Sequence, residues 1–202
     1  MSEPNCIARS PELMSAGDTG LLVVDVQERL IGSIAAWRKV VWNVRRLIDG
    51  AKLLGVPIVA TEQYPKGLGH TVAELAERLA DVYPDGIPEK MTFSSGGCPG
   101  AFDEFRSRGV RKILVTGIEA HVCVTQTVFD LMADGWRVYV AVDAVGSRFD
   151  LDYRTGLARM DSAGATLTTT EAALFELFEV AGTPEFKEIS RLVKESEPQA
   201  GG

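Results

Sequence analysis

The sequence predicts an α/β fold, a three-layer sandwich in which helices cover both faces of a central parallel sheet. Short apolar runs such as Leu21–Val24 do not alternate with polar residues, which is typical of strands buried on both faces. The segments between these runs carry apolar residues three and four positions apart, which indicates amphipathic helices. Strands that alternate with helices along a chain favour a parallel sheet with right-handed crossovers.

Each element has a local signal in the sequence. Short aliphatic or β-branched runs are predicted as strands: Leu21–Asp25, Pro57–Thr61, Lys112–Thr116, Arg137–Val142 and Ala165–Thr168. A helix over 36–54 is predicted from residues such as Val40, Val44 and Leu47, and Gly55 follows it as a typical helix-ending residue. Similar spacing or flanking residues predict the remaining helices: Thr71–Ala80, Phe102–Arg108, Val122–Ala133, Asp152–Ala163, Glu171–Phe178 and Pro184–Lys194.

The composition is that of an ordinary globular protein, because 46% of the 202 residues are hydrophobic and 24% are charged. We expect a single domain over 18–195, preceded by a flexible polar arm over 1–17 and followed by a flexible tail over 196–202. The net charge of −7 offers no broad basic field for a phosphate backbone. Nucleic acid is therefore not expected as a partner.

The cysteines and the termini bear on the compartment. Cys6, Cys98 and Cys123 are far apart in the sequence, which disfavours a disulfide framework and favours a reducing compartment. The N-terminus lacks the charged start and apolar stretch of a secretory signal, and no apolar run is long enough to cross a bilayer. These observations predict a soluble cytoplasmic protein with no membrane partner.

Three residues fall where functional groups of parallel sheets gather, beyond the carboxyl ends of the strands. Asp25 ends the first strand and is either a functional carboxylate or a cap for the following turn. Cys123 lies where a helix should begin, so unpaired N–H groups favour its thiolate, although a lone cysteine is more often buried and inert. Lys90 taken alone resembles a solvated surface lysine. Together, a carboxylate base, a cation and a thiol form a hydrolytic set.

Four segments, in register along the chain, resemble motifs of the isochorismatase-like cysteine hydrolases. They are Val24–Gln27, Glu89–Ser94, Gly117–Val124 and Asp143–Arg148. The resemblance covers roughly residues 18–195 and implies a Rossmann-like topology. Within the family, Glu171–Leu177 and Phe186–Ile189 are most similar to the isochorismatase domain-containing protein 2 branch.

The resemblance implies a role for each matching residue. Asp25 would act as general base and later as acid, Lys90 would lower the pKa of the thiol, and Cys123 would attack an amide or related carbonyl to form a thioester. The backbone N–H groups of Glu119 and Cys123 would form the oxyanion hole. A cis peptide of the family maps to Ile118–Glu119.

The chain departs from the nicotinamidases of this superfamily, which hold a metal through histidines. Its two histidines are His70 and His121, so a histidine-rich metal site is not available and no cofactor is expected. Nicotinamide is therefore a doubtful substrate. The presence of Cys123 favours C–N or other thiol-dependent chemistry over cleavage of a vinyl ether.

Several residues are expected to line a substrate pocket, although tyrosine and phenylalanine more often belong to a core: Gln27, Gln63, Tyr64, Phe93 and His121. The leading hypothesis is a metal-free cysteine hydrolase of a small molecule, assembled as a homo-oligomer. Two alternatives stay open. One is a non-catalytic interaction protein that kept the fold, and the other is a thiol redox sensor that uses Cys123.

Overall fold

A computed structural model describes residues 7–198. Six parallel strands form one sheet in the order β3-β2-β1-β4-β5-β6. The strands are β1 (Thr19–Val24), β2 (Ile58–Gln63), β3 (Glu89–Lys90), β4 (Lys112–Ile118), β5 (Arg137–Gly146) and β6 (Thr166–Thr168). Helices lie on both sides of this sheet, so the predicted α/β sandwich with a central parallel sheet is confirmed.

Nine α-helices of the described residues connect and cover the strands. They are α1 (Glu28–Ile31), α2 (Trp37–Leu53), α3 (Pro65–Leu68), α4 (Ala73–Leu79), α5 (Asp103–Ser107), α6 (Thr125–Ala133), α7 (Asp150–Ala163), α8 (Thr170–Phe178) and α9 (Pro184–Val193). A 3-10 turn covers Ser95–Gly97, and a π-helical turn over Ala120–Val124 leads directly into α6. None of the helices in this part of the chain is long and apolar enough to cross a membrane.

The core is divided between the two faces of the sheet. On one face α2, α4, α8 and α9 pack through residues such as Val44 and Leu174, both fully buried. On the other face α5, α6 and α7 contribute Phe105, Val128 and Met160, which are also fully buried. The apolar strands predicted from the sequence are buried along nearly their whole length because both faces are covered.

Several elements differ from the predictions, three of them next to the candidate site. The strand β3 was not predicted, because two residues carry no periodic signal. Helix α6 begins at Thr125 rather than Val122, since the π-helical turn occupies the preceding positions. Strand β5 continues to Gly146, beyond its predicted end at Val142, through a register shift against β4.

The chain ends lie partly outside the described residues. The predicted arm over 1–17 and tail over 196–202 include residues 1–6 and 199–202, which fall outside the description. Within the remaining arm, Met14 is buried, and its N–H donates to Glu176 Oε2 at 3.0 Å. The amine of Lys112 donates to the carbonyl of Leu13 at 2.8 Å. This part of the arm packs against the sheet, and the domain boundaries themselves stay a prediction.

Candidate active site

The three residues singled out from the sequence meet at the carboxyl edge of the sheet. Asp25 follows β1 directly with φ 50°, Lys90 is on β3, and Cys123 is in the π-helical turn after β4. The Nζ of Lys90 lies 2.6 Å from Oδ2 of Asp25. The thiol of Cys123 lies beside the same carboxylate, close enough for each group to shift the pKa of the other. Asp25 is therefore next to both the amine and the thiol, as the hydrolytic set requires.

Lys90 reaches Asp25 across the end of β2, because β2 separates β3 from β1 in the sheet. Its ammonium group also donates to Gln63 Oε1 at 3.0 Å and to the carbonyl of Phe93 at 2.8 Å. Neither the Lys90 nor the Asp25 side chain is exposed to solvent. A buried ion pair persists only when its remaining protons and lone pairs are also satisfied, and these contacts supply the partners for the ammonium.

The environment of Asp25 makes it a stronger base than an exposed carboxylate. Burial raises the pKa of Asp25, while the charge of Lys90 and hydrogen bonds from Lys90, Cys123 and Thr61 oppose that rise. The Thr61 hydroxyl donates to Oδ1 at 2.9 Å, and Lys90 contacts Oδ2. Both oxygens are held, so the orientation of the carboxylate is fixed.

The surroundings of Cys123 favour the protonated thiol over the thiolate. Burial and, to a smaller extent, the negative charge of Asp25 raise the pKa of Cys123 to about 12, although the charge of Lys90 opposes the rise. Lys90 therefore acts on the thiol pKa in the expected direction, but the expectation of an acidic thiol is wrong because the net pKa is raised. The physical reason is that loss of water around the sulfur outweighs the attraction to the ammonium. The sulfur needs a base to remove its proton, and Asp25 is in contact with it.

The turn before Cys123 is held in place by hydrogen bonds to the side chain and to the backbone carbonyl of Glu119. The peptide Ile118–Glu119 is cis, as the family resemblance implied. The buried Glu119 carboxylate accepts hydrogen bonds from Arg148, at 3.0 Å from its backbone N–H and 3.2 Å from Nε. The carbonyl of Glu119 accepts from the N–H groups of Val122 and Val124 at 3.0 and 3.2 Å. The oxyanion role of the Glu119 and Cys123 N–H groups stays a prediction.

Two of the expected pocket residues brace the site from within the protein. Gln27 is buried, donates to the carbonyls of Gln63 and Gly69 at 3.0 and 2.6 Å, and accepts from the Gln63 N–H at 2.7 Å. The side chain of Gln63 accepts from Lys90 and donates to the carbonyl of Met91 at 3.0 Å. These amides connect the chain after β1 to the end of β2 and the segment after β3.

The other three expected pocket residues are more accessible. Tyr64 and Phe93 are 46% and 53% exposed and follow β2 and β3, next to the residues that contact Lys90. His121 is partly exposed, and its Nδ1 lies 3.0 Å from the Ser147 hydroxyl. Its Nε2 lies 3.9 Å from Asp152. The imidazole is therefore directed to Ser147 and α7.

Among residues 7–198, no group of three histidine, cysteine or acidic side chains is arranged to hold a metal ion. The two histidines have different partners. His70 contacts Glu62 at 2.9 Å, whereas His121 contacts Ser147. The hydrogen bond to Glu62 raises the pKa of His70. Each of these histidines thus has a protein partner.

Sequence reasoning missed Thr61 and Ser95 as members of the site. Thr61 was predicted only as the end of a strand, and Ser95 lies one position beyond the motif Glu89–Ser94, so neither hydroxyl was given a role. The Thr61 hydroxyl contacts both Asp25 and the Ser95 hydroxyl, the latter at 3.0 Å. The only signal available was a polar residue at the end of an otherwise apolar strand.

Comparison with known proteins identifies the family of the chain. The family model described as "Isochorismatase domain" matches residues 19–172. Isochorismatase domain-containing protein 2 of Pongo abelii is 41% identical over 187 residues, which are 92% of this chain and 87% of that protein. The solved structure of the MAR1 ribonuclease from Caenorhabditis elegans is 40% identical with a TM-score of 0.83, covering 94% of this chain and 96% of that one.

A more distant structure shares the fold. The YcaC gene product of Escherichia coli, described as an octameric hydrolase of unknown specificity, is 24% identical with a TM-score of 0.75. The match covers 86% of this chain and 85% of that one. With the family model over most of the sequence and 41% identity to a protein of the type 2 branch, this chain belongs to the isochorismatase family.

Proposed function

We propose that the protein is a cysteine hydrolase that cleaves a small amide or a related C–N bond through a thioester on Cys123. The observation that carries the proposal is the buried ion pair between Asp25 and Lys90, which lies beside the thiol of Cys123. A buried carboxylate with a raised pKa, in contact with a protonated sulfur, is suited to take that proton.

In the first step Asp25 takes the Sγ proton while the sulfur attacks the carbonyl carbon of the substrate. The carbonyl oxygen becomes an oxyanion, for which the N–H groups of Glu119 and Cys123 are the proposed donors. The intermediate collapses, the C–N bond breaks, and the amine leaves with the proton held by Asp25. Lys90 stabilises the negative charge, which is on the carboxylate before the proton transfer and on the sulfur after it.

In the second step Asp25 again acts as base and removes a proton from water, which attacks the thioester. The C–S bond breaks, the acid product leaves, and the thiolate recovers a proton from Asp25. The raised pKa of Asp25 supports both roles, since a group that alternates between base and acid works best with a pKa near the working pH.

The enclosure of Cys123 favours a small substrate. The residue is 5% exposed, whereas Tyr64 and Phe93 nearby are about half exposed. A compact acyl group can reach so enclosed a sulfur more readily than a folded polymer. The aromatic side chains are proposed to contact the substrate as it enters.

The proposal is tested by ammonia release from a panel of small amides, with Cys123→Ala and the matched variant Cys98→Ala. Both cysteines are buried, but the Cys98 thiol contacts the carbonyl of Glu89 rather than Asp25. We expect Cys123→Ala to lose about 10³-fold or more in kcat/KM, as expected for removal of a nucleophile, and Cys98→Ala to stay close to the wild type. Full activity in Cys123→Ala would overturn covalent catalysis.

RNA is the competing substrate, because a 40% identical relative carries the name ribonuclease. The net charge of −7 and the enclosure of Lys90 by protein partners argue against it, since RNA binding depends on accessible cations. Incubation of the same variants with single-stranded RNA decides the question. Cleavage that survives in Cys123→Ala would point to a different chemistry.

The metal-free mechanism, the cytoplasmic location and the homo-oligomer are further parts of the proposal. Activity that is unchanged after dialysis against a chelator is the expected result for a metal-free enzyme. The mass of the particle in solution, measured by light scattering, tests self-association directly.

A further inference from the structure

We infer that Thr61 and Ser95 are positioning residues for the proposed base, because a buried chain of hydroxyl groups directs its protons at Asp25 and connects it to the helix of Cys123. The inference rests on the proposed function. It goes further by assigning a role to residues that make no contact with a substrate.

The direction of the protons follows from the contacts. The hydroxyl of Thr61 lies 2.9 Å from Asp25 Oδ1 and 3.0 Å from the hydroxyl of Ser95. An ionised carboxylate only accepts hydrogen bonds, so Thr61 gives its single proton to Asp25. Thr61 can then only accept from Ser95, so the Ser95 proton points to Thr61. Both protons are directed toward the carboxylate.

The other end of this series of hydrogen bonds reaches the backbone of Cys123. The backbone N–H of Ser95 donates to the Thr127 hydroxyl at 2.8 Å, and that hydroxyl donates to the carbonyl of Cys123 at 2.6 Å. Thr61, Ser95 and Thr127 are all buried, with at most 1% exposure. The chain therefore joins β2, the 3-10 turn and α6 without access to water, and it fixes the carboxylate relative to the helix of Cys123.

Removal of this chain should change the charge state of Asp25. Hydrogen bonds that a carboxylate accepts favour its ionised form, and buried networks strengthen one another in a medium of low polarity. Thr61 opposes the effect of burial on the pKa of Asp25. Thr61 holds one carboxylate oxygen of Asp25 and Lys90 holds the other. The remaining lone pairs of these two oxygens are then available to accept the proton of the thiol.

The test uses alkylation of Cys123 by iodoacetamide across pH, read by peptide mass spectrometry, which needs no substrate. The first inflection of the rate reports loss of the first proton from the coupled pair of Asp25 and Cys123. The variants are Thr61→Val, which keeps the shape of the side chain and removes the hydroxyl, and Thr61→Ser, which restores it. Thr116→Val is the matched control, because its buried hydroxyl donates to the carbonyl of Leu22 instead.

We expect Thr61→Val to move the first inflection to higher pH by about one unit, the shift expected for a hydrogen bond to a charged group. Thr61→Ser and Thr116→Val should keep the wild-type inflection. Ser95→Ala should give a smaller shift, and the double variant Thr61→Val with Ser95→Ala should match Thr61→Val alone, because Ser95 acts through Thr61. Melting temperatures confirm that each variant is folded.

An unmoved inflection in Thr61→Val, or an equal shift in Thr116→Val, would overturn the inference. A double variant shifted by the sum of the single shifts would overturn the role of Ser95. These outcomes are separate from those of the proposed function, because alkylation does not depend on turnover. An enzyme inactive on every amide tested, but with the expected inflections, would contradict the substrate proposal and leave the positioning role supported.

Discussion

Lys90 and Asp25 form an ion pair at 2.6 Å although the strands that carry them are not neighbours in the sheet. Both side chains are fully enclosed. Removal of either partner leaves an uncompensated buried charge, which is far more costly than loss of an ion pair on the surface.

We predict that Lys90→Met abolishes the hydrolase activity and lowers the free energy of unfolding by about 3–5 kcal/mol, because it leaves the Asp25 carboxylate buried and unpaired. Urea denaturation measures the loss. The control is Lys112→Met, which breaks the pair of Lys112 and Asp18, where the acid is 32% exposed and water can reach it. A larger loss in Lys112→Met than in Lys90→Met would contradict the prediction. The double variant Lys90→Met with Asp25→Asn leaves no buried charge, so it should recover stability without recovering activity.

The raised pKa of Cys123 predicts a loss of stability at alkaline pH. In the folded protein this pKa is about 12, against an ordinary value of 9.0. The folded thiol keeps its proton while the unfolded chain ionises, so the stabilisation is complete below pH 9 and is lost as the pH rises toward 12. The free energy of unfolding should therefore fall more steeply between pH 8 and about pH 10.5 in the wild type than in Cys123→Ala. Parallel curves for the two proteins would show that the thiol is not stabilised in its protonated form.

Gly117 is predicted to be the glycine least tolerant of substitution near the site. Its φ is +111°, and a Cβ there would lie 2.0 Å from the carbonyl oxygen of Val24, so β4 could not keep its register against β1. Gly117→Ala should lower the free energy of unfolding by about 4 kcal/mol or more. Gly55→Ala is the matched control, with φ +67° and no atom within 4 Å of the added Cβ.

The control substitution should cost about 1–2 kcal/mol, the penalty of the left-handed conformation alone. Equal losses at the two glycines, measured by urea denaturation, would mean that β1 moves aside easily next to Asp25. That result would also weaken the case for a rigid site.

The sequence was sufficient to predict the sheet because the buried strands are almost purely apolar. Leu21–Val24 and Lys112–Thr116 have no competing helical period, and their burial on both faces follows from that composition. The positions of Asp25 and Cys123 were also predictable, since each directly follows such a strand or its turn. Lys90 required the resemblance to the family, because a two-residue strand leaves no pattern to detect.

The electrostatics of the site were not predictable in the same way. The thiol pKa depends on how completely the sulfur is removed from water, and that is decided by packing between elements distant in the sequence. The hydrogen bonds of Thr61 and Ser95 span 34 to 36 positions of the chain. Hydroxyl-bearing residues are common at strand ends and in turns, so only the folded arrangement separates these two from the others.

The reach of Lys90 over the end of β2 has a consequence for synthesis of the protein. Its partner Asp25 emerges from the ribosome 65 positions earlier, and the two can meet only when three strands are already aligned. Contacts between such distant positions form late in folding. A nascent or partly folded chain therefore carries Cys123 without the Asp25–Lys90 pair beside it, and the proposed chemistry requires the fully folded protein.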